Sequence, residues 1–166
     1  MPKHSAGIML YRKVNSSAEV FLVHPGGPFW AKKDLAAWSV PKGEYLEDEE
    51  PLAAAKREFN EETSMHVPTD DLRELGDVKY GNKILRVWMG EGNIDARRVK
   101  SSTIKIEWPP KTGRIQEFPE VDRAGWFTLD VARTKLVKGQ IPLIDMAEQA
   151  LGLGPSDGAM DQLSFL

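Results

Sequence analysis

The sequence predicts a single α/β domain. Strand-like segments lie on both sides of residues 43–65, that central stretch carries helical periodicity, and two more helical segments follow near the end. A chain of 166 residues can bury a full core. With 41% hydrophobic and 28% charged residues it fits a soluble globular protein. A net charge of −3 gives no support for broad attraction to nucleic acid or membrane. The absence of cysteine excludes disulfide and thiol chemistry. No apolar run reaches about 18 residues, so no spanning helix is expected, and the cytoplasm is the expected location.

Residues 5–12, SAGIMLYR, read as a buried strand. Residues 19–24, EVFLVH, read as its hairpin partner across the polar turn Asn15-Ser16-Ser17. His24, which ends that strand, is read as structural. Residues 25–36 form a Gly/Pro-rich loop carrying Phe29, Trp30, Lys32 and Lys33. Exposed aromatics beside lysines suit a nucleotide base and a phosphate; the same aromatics also fit packing back on the core. Residues 38–43, WSVPKG, read as a short strand leading into the central helix. Pro51 suits the first turn of that helix, and Leu52, Ala55 and Phe59 recur on one face, toward the core. Residues 72–80 and 83–89 read as strands joined by a tight turn at Gly81-Asn82. Residues 102–108 alternate as a half-buried strand does. A loop follows at 109–114, then a charged stretch with Glu117 and Glu120, then the apolar run 124–128. Residues 129–138 and 142–151 read as helices. The domain is expected over residues 1–152, with 153–166 as a tail whose Leu163, Phe165 and Leu166 are candidates for docking.

The chemistry concentrates on the central helix. Glu58, Glu61 and Glu62 are spaced i, i+3, i+4 and share one helical face. Three like charges that close call for a cation, and oxygen-only donors suit a hard one, Mg²⁺ or Mn²⁺. Taken alone, the three also fit a solvated acidic face with one ion pair from Arg57 to Glu61. Lys42 stands beside this site, where its charge can meet a phosphate oxygen, and the Gly43 carbonyl is a further candidate metal ligand.

Gly43, Glu49, Arg57, Glu58, Phe59, Glu61, Glu62 and Met65, at their spacing, resemble the Nudix box of pyrophosphate hydrolases. Ser64 departs from it, standing where the family usually has glycine. A left-handed residue at a helix end costs about 1 kcal/mol when it is not glycine. The resemblance implies an α/β/α sandwich around a central mixed sheet. It implies that Glu58, Glu61 and Glu62 hold Mg²⁺, with Mn²⁺ as a substitute, helped by the Gly43 carbonyl. Arg57 would hold the glutamates or contact phosphate, and Glu49 would form a structural ion pair or an outer metal contact. A metal-bound water would attack phosphorus and lose its proton to Glu58, Glu117 or Glu120, with Glu117 slightly preferred to Glu120 as the later carboxylate.

The box does not specify what hangs from the diphosphate. Residues 38–43, including Trp38, look like the approach to the box in the family's diadenosine tetraphosphate hydrolases. Members acting on dinucleoside polyphosphates often carry a tyrosine after the box, and Tyr80 follows here; those acting on ADP-ribose tend to carry a proline, and none occurs between Pro68 and Pro109. The expected substrate is therefore a dinucleoside or nucleoside polyphosphate, with Lys42, Trp38, Tyr80, Trp30 and Lys32 as binding residues. Nucleotide sugars, oxidised nucleoside triphosphates and inositol polyphosphates stand behind it, and capped RNA last, because no long basic run marks an RNA path. The other reading is a Nudix-fold sensor or interaction domain without turnover. Such proteins usually lose box glutamates, and this sequence keeps them all.

Overall fold

A six-stranded mixed sheet forms the middle of the computed structural model, which describes residues 2–153. The expected tail lies outside the described residues, apart from Leu153, which packs on the core. The first strand, β1 (Lys3–Val14), is central: it pairs antiparallel with β2 (Ser17–Pro25) and with the short β3 (Lys42–Glu44). This position covers β1 on both faces, and Ala6, Ile8, Met9 and Leu10 are all fully buried, the pattern of a continuous apolar run.

Helix α1 (Pro51–Thr63) crosses next, followed by the hairpin β4 (Arg73–Tyr80) and β5 (Lys83–Glu91), turned at Gly81-Asn82. Strand β5 lies parallel to β1. Strands β6 (Thr103–Glu107) and β7 (Ile115–Pro119) form a separate two-stranded arm, and β8 (Val121–Thr128) returns to pair with β2. The sheet order is β4-β5-β1-β2-β8. The chain then runs through α2 (Leu129–Lys135) and α3 (Pro142–Ala150).

Alternation within the strands splits the core in two. Ile8, Leu10, Phe21, Val23 and Trp88 face Ala54, Ala55 and Phe59 of α1. Met9, Val20, Leu22, Leu85 and Val87 face α2 and α3 through Leu129, Leu136, Leu143 and Ile144. The result is the expected α/β/α sandwich, with α1 on one face and α2 and α3 on the other.

Three elements differ from the sequence reading. The strand expected at 38–43 is only a pair of single bridges at Trp38 and Ser39, and regular pairing begins at Lys42. The helix expected at 129–138 stops at Lys135, because Leu136 takes extended backbone and bridges Trp38; residues 138–140 form one 3₁₀ turn. Strand β7 is the third: its residues are nearly all exposed, so they carry no burial alternation to read.

Candidate active site

Helix α1 presents its acidic face to the end of β3. Glu58 lies so close to Gly43 that a Cβ there would stand 2.0 Å from the Glu58 carboxyl carbon. Only glycine lets β3 and the carboxylate come together, and this requirement comes from close approach rather than from backbone dihedral. One residue earlier, the Lys42 N–H donates to Glu62 Oε1 at 3.1 Å.

Arg57 organises the other oxygens. Its Nε and Nη2 donate to the two oxygens of Glu49 at 2.8 and 3.0 Å, a bidentate fork. Its Nη1 donates to Glu58 Oε1 at 2.8 Å and to Glu61 Oε1 at 3.2 Å. Of the two roles open for Glu49, the structure shows the ion pair. Hydrogen bonding to Arg57 holds the Glu49 carboxyl below its ordinary range, and the bond to Glu49 is the main cause that raises the arginine.

The remaining carboxylates shift the other way. Burial, opposed by the Lys42 N–H and reinforced by the charges of Glu58 and Glu120, pushes Glu62 up to about 8. Burial also raises Glu58, against the pull of Arg57, and raises Glu120, with the charge of Glu61 adding to it. In each, the loss of hydration on burial outweighs whatever compensation the neighbours supply.

Glu120 thus belongs to the group around the box, at the break between β7 and β8. Glu117 does not: it stands exposed on the arm, opposite Lys105. A cavity of about 310 Å³ opens beside the carboxylates, lined by Lys42, Glu62 and Glu120 together with Trp30, Tyr80 and Lys83. The Tyr80 ring rests on the backbone of Gly139, where a Cβ would come within 2.4 Å of it. Trp38 lies elsewhere. It is 5% exposed, donates from Nε1 to Asp34, and packs edge-on against His24 and Phe127 in the core below α2. Lys32 sits exposed on the loop and does not line the cavity. His24 is buried between the Asp122 carboxylate and the Lys33 carbonyl, a structural placement.

Lys83 and Gln140 are among the wall residues that the sequence reading did not single out. Lys83 was legible in principle, because the Gly81-Asn82 turn fixes it beside Tyr80. Gln140 was not: it is fully buried, its Oε1 accepts from the Val40 N–H and its Nε2 donates to Ser39, an arrangement that no local pattern announces.

Among the described residues, no three acidic or histidine side chains stand in a ready metal cage. Arg57 engages an oxygen of both Glu58 and Glu61. The donor chemistry nevertheless fits a hard divalent cation: carboxylate and backbone oxygens only, crowded at the Gly43–Glu58 contact, with Glu58 and Glu62 both raised chiefly by burial.

Comparison with known proteins agrees with this geometry. The family model for the NUDIX domain matches residues 1–147. No curated protein matches the sequence significantly. Among solved structures, the NUDIX domain of Shewanella oneidensis NrtR complexed with ADP ribose is 20% identical, with a TM-score of 0.60 over 91% of this chain and 89% of that one. A Caenorhabditis elegans Ap4A hydrolase in a binary complex is also 20% identical, with a TM-score of 0.58 over 90% and 98%. The C-terminal domain of mouse MUTYH, in complex with human PCNA, is 15% identical, with a TM-score of 0.57 over 92% of each chain. At these identities the structures speak for the fold, and the family model for the lineage: with its box residues gathered at one end of α1, this chain belongs to the Nudix family of pyrophosphate hydrolases.

Proposed function

We propose that this domain hydrolyses a pyrophosphate linkage in a nucleoside polyphosphate, foremost a dinucleoside polyphosphate, using Mg²⁺ or, in its place, Mn²⁺. The observation that carries the reading is the cavity in which Lys42, Glu62 and Glu120 meet Trp30 and Tyr80. It offers carboxylates and a cation for the phosphates and aromatic rings for a base. The nematode Ap4A hydrolase gives a relative with such a substrate.

Glu58, Glu61, Glu62 and the Gly43 carbonyl would hold the cation, which when bound supplies charge neutralisation at phosphate oxygens and a more acidic water. Water attacks phosphorus, its proton passes to a carboxylate oxygen of Glu120, and the bond to the leaving phosphate breaks. Glu120 suits the role of base because it lines the cavity, has no ion pair among the described residues, and is raised above its ordinary range by burial. Glu58 is less free, pressed on Gly43 and bonded to Arg57. Arg57 keeps the glutamates in register. Lys42 and Lys83 meet phosphate charge along the wall. Among the described residues, no helix is long and apolar enough to cross a membrane.

The second reading is a nucleotide-binding domain without turnover, favoured by the likeness to a NUDIX domain seen with ADP ribose. Product analysis by mass spectrometry separates the two. The panel is diadenosine polyphosphates, nucleoside triphosphates, ADP-ribose and nucleotide sugars with Mg²⁺ in ¹⁸O-water, with Glu61→Gln and Glu120→Gln alongside. Diadenosine tetraphosphate should give ATP and AMP, and Glu61→Gln should lose several orders of magnitude in rate. A wild-type rate in Glu61→Gln would sink the metal scheme; binding without products would favour the second reading.

A further inference from the structure

Helix α1 ends on Ser64, whose backbone is left-handed, with φ 61° and ψ 22°. That conformation favours glycine, and serine holds it here under strain. The side chain shows what is gained. Ser64 Oγ donates to the Lys100 carbonyl, while the Lys100 N–H donates back to the Thr63 carbonyl at 3.1 Å. The two bonds clasp residue 100 to the helix end. Two residues on, the Ser102 N–H donates to the Glu61 carbonyl at 3.0 Å. Strip 100–102 therefore takes up carbonyls that the last turn of α1 leaves unpaired.

The other edge of the same strip holds the base of the arm. The Glu120 N–H donates to the Ser102 carbonyl at 2.9 Å, and the Val121 N–H donates to Ser101 Oγ at 2.9 Å. From the far side, the Gly26 N–H donates to the Glu120 carbonyl at 2.8 Å, fastening the cavity loop to the same residue. One strip of three residues thus joins the helix that carries Glu58, Glu61 and Glu62 to the backbone that carries Glu120.

We infer that Ser64 is a positioning residue: its hydroxyl, by clasping Lys100, sets the distance between Glu120 and the box carboxylates. Glycine in its place would relax the backbone but leave the Lys100 carbonyl without that donor. The inference rests on the proposed role of Glu120, and its test keeps the two apart.

The variants are Ser64→Gly, Ser64→Ala and Glu120→Gln, singly, with the double variant Ser64→Gly/Glu120→Gln. Amide hydrogen exchange on metal-free protein reads the clasp directly: in Ser64→Gly the amides of Lys100, Ser102 and Glu120 should exchange about 3- to 10-fold faster. The melting temperature of Ser64→Gly should not fall below that of Ser64→Ala, which keeps the strain and loses the bond. In turnover with Mg²⁺ and diadenosine tetraphosphate, Ser64→Gly and Ser64→Ala should each lower kcat about tenfold at unchanged KM. Within the Glu120→Gln background, Ser64→Gly should add less than about twofold. Unchanged exchange refutes the clasp whatever the kinetics. A wild-type kcat in Ser64→Gly, or an equal loss with and without Glu120, overturns the positioning role. A wild-type rate in Glu120→Gln instead overturns the proposed base, and exchange still decides the clasp.

Discussion

Replacing Glu62 by glutamine should stabilise the metal-free protein, and increasingly so as pH rises. Glu62 sits in the wall of the cavity, and burial lifts its carboxyl from 4.5 to about 8 in the folded state. A carboxyl raised on folding holds its proton more tightly in the native state. Its contribution is therefore fully present below about pH 4.5 and is lost as pH climbs toward about 8. At about 1.4 kcal/mol per pH unit the whole span is on the order of 4–5 kcal/mol. The cavity is open to water at its edge, so about 3 kcal/mol is the part expected to survive screening. Glutamine keeps the acceptor for the Lys42 N–H and carries no charge, so Glu62→Gln escapes this loss. For a domain of this size that corresponds to a gap in Tm of roughly 6–12 °C at pH 8, closing toward pH 5. Thermal unfolding in EDTA across pH 4.5 to 8.5 measures it. Adding Mg²⁺ at pH 8 should raise the wild type more than Glu62→Gln, because a bound cation stabilises the ionised carboxylate. A difference between the two proteins that stays flat with pH would show that Glu62 is not the desolvated carboxylate described here.

Three other substitutions probe the remaining parts of the site. Gly43→Ala forces a methyl onto the Glu58 carboxyl, and should cost about 1–3 kcal/mol in chemical denaturation together with most of the activity. Arg57→Lys cannot reproduce the fork on Glu49 while bonding Glu58 and Glu61, so kcat should fall about 10²-fold with the fold intact by circular dichroism. Gly139→Ala drives the Tyr80 ring toward the cavity, and should raise KM for nucleotides more than it lowers kcat, as steady-state assays will show.

What the sequence disclosed follows from how local each feature is. Helix α1 was legible because Pro51 marks its start, and because Ala55 and Phe59 repeat at helical spacing and are fully buried in the structure. The central strand β1 was legible because its middle, covered on both faces, carries the unbroken run Ala6–Leu10, with polar residues only toward its ends. The box carboxylates were legible because their spacing is a property of one helix. The cavity was not, because its wall joins residues far apart in the chain: Lys42 from β3, Tyr80 and Lys83 from the β4–β5 hairpin, and Gln140 from the 3₁₀ turn after α2. Tertiary packing alone brings them together.

The choice between Glu117 and Glu120 illustrates the limit more sharply. On an extended chain the two point to opposite sides, so at most one can face the helix. The sequence around them does not say which, since β7 is exposed at nearly every position and shows no burial alternation of its own. The decision is made at the backbone, by the bonds from Gly26 and to Ser102 that hold Glu120 at the cavity edge. Ser64 follows the same logic. Its departure from glycine is visible in the sequence as a cost, and the compensating partner, the Lys100 carbonyl, is 36 positions away. A residue that breaks a local rule at such a junction is informative because the strain has to be offset by something nonlocal, and here the offsetting contact leads through Ser102 to Glu120, the site's carboxylate outside the helix.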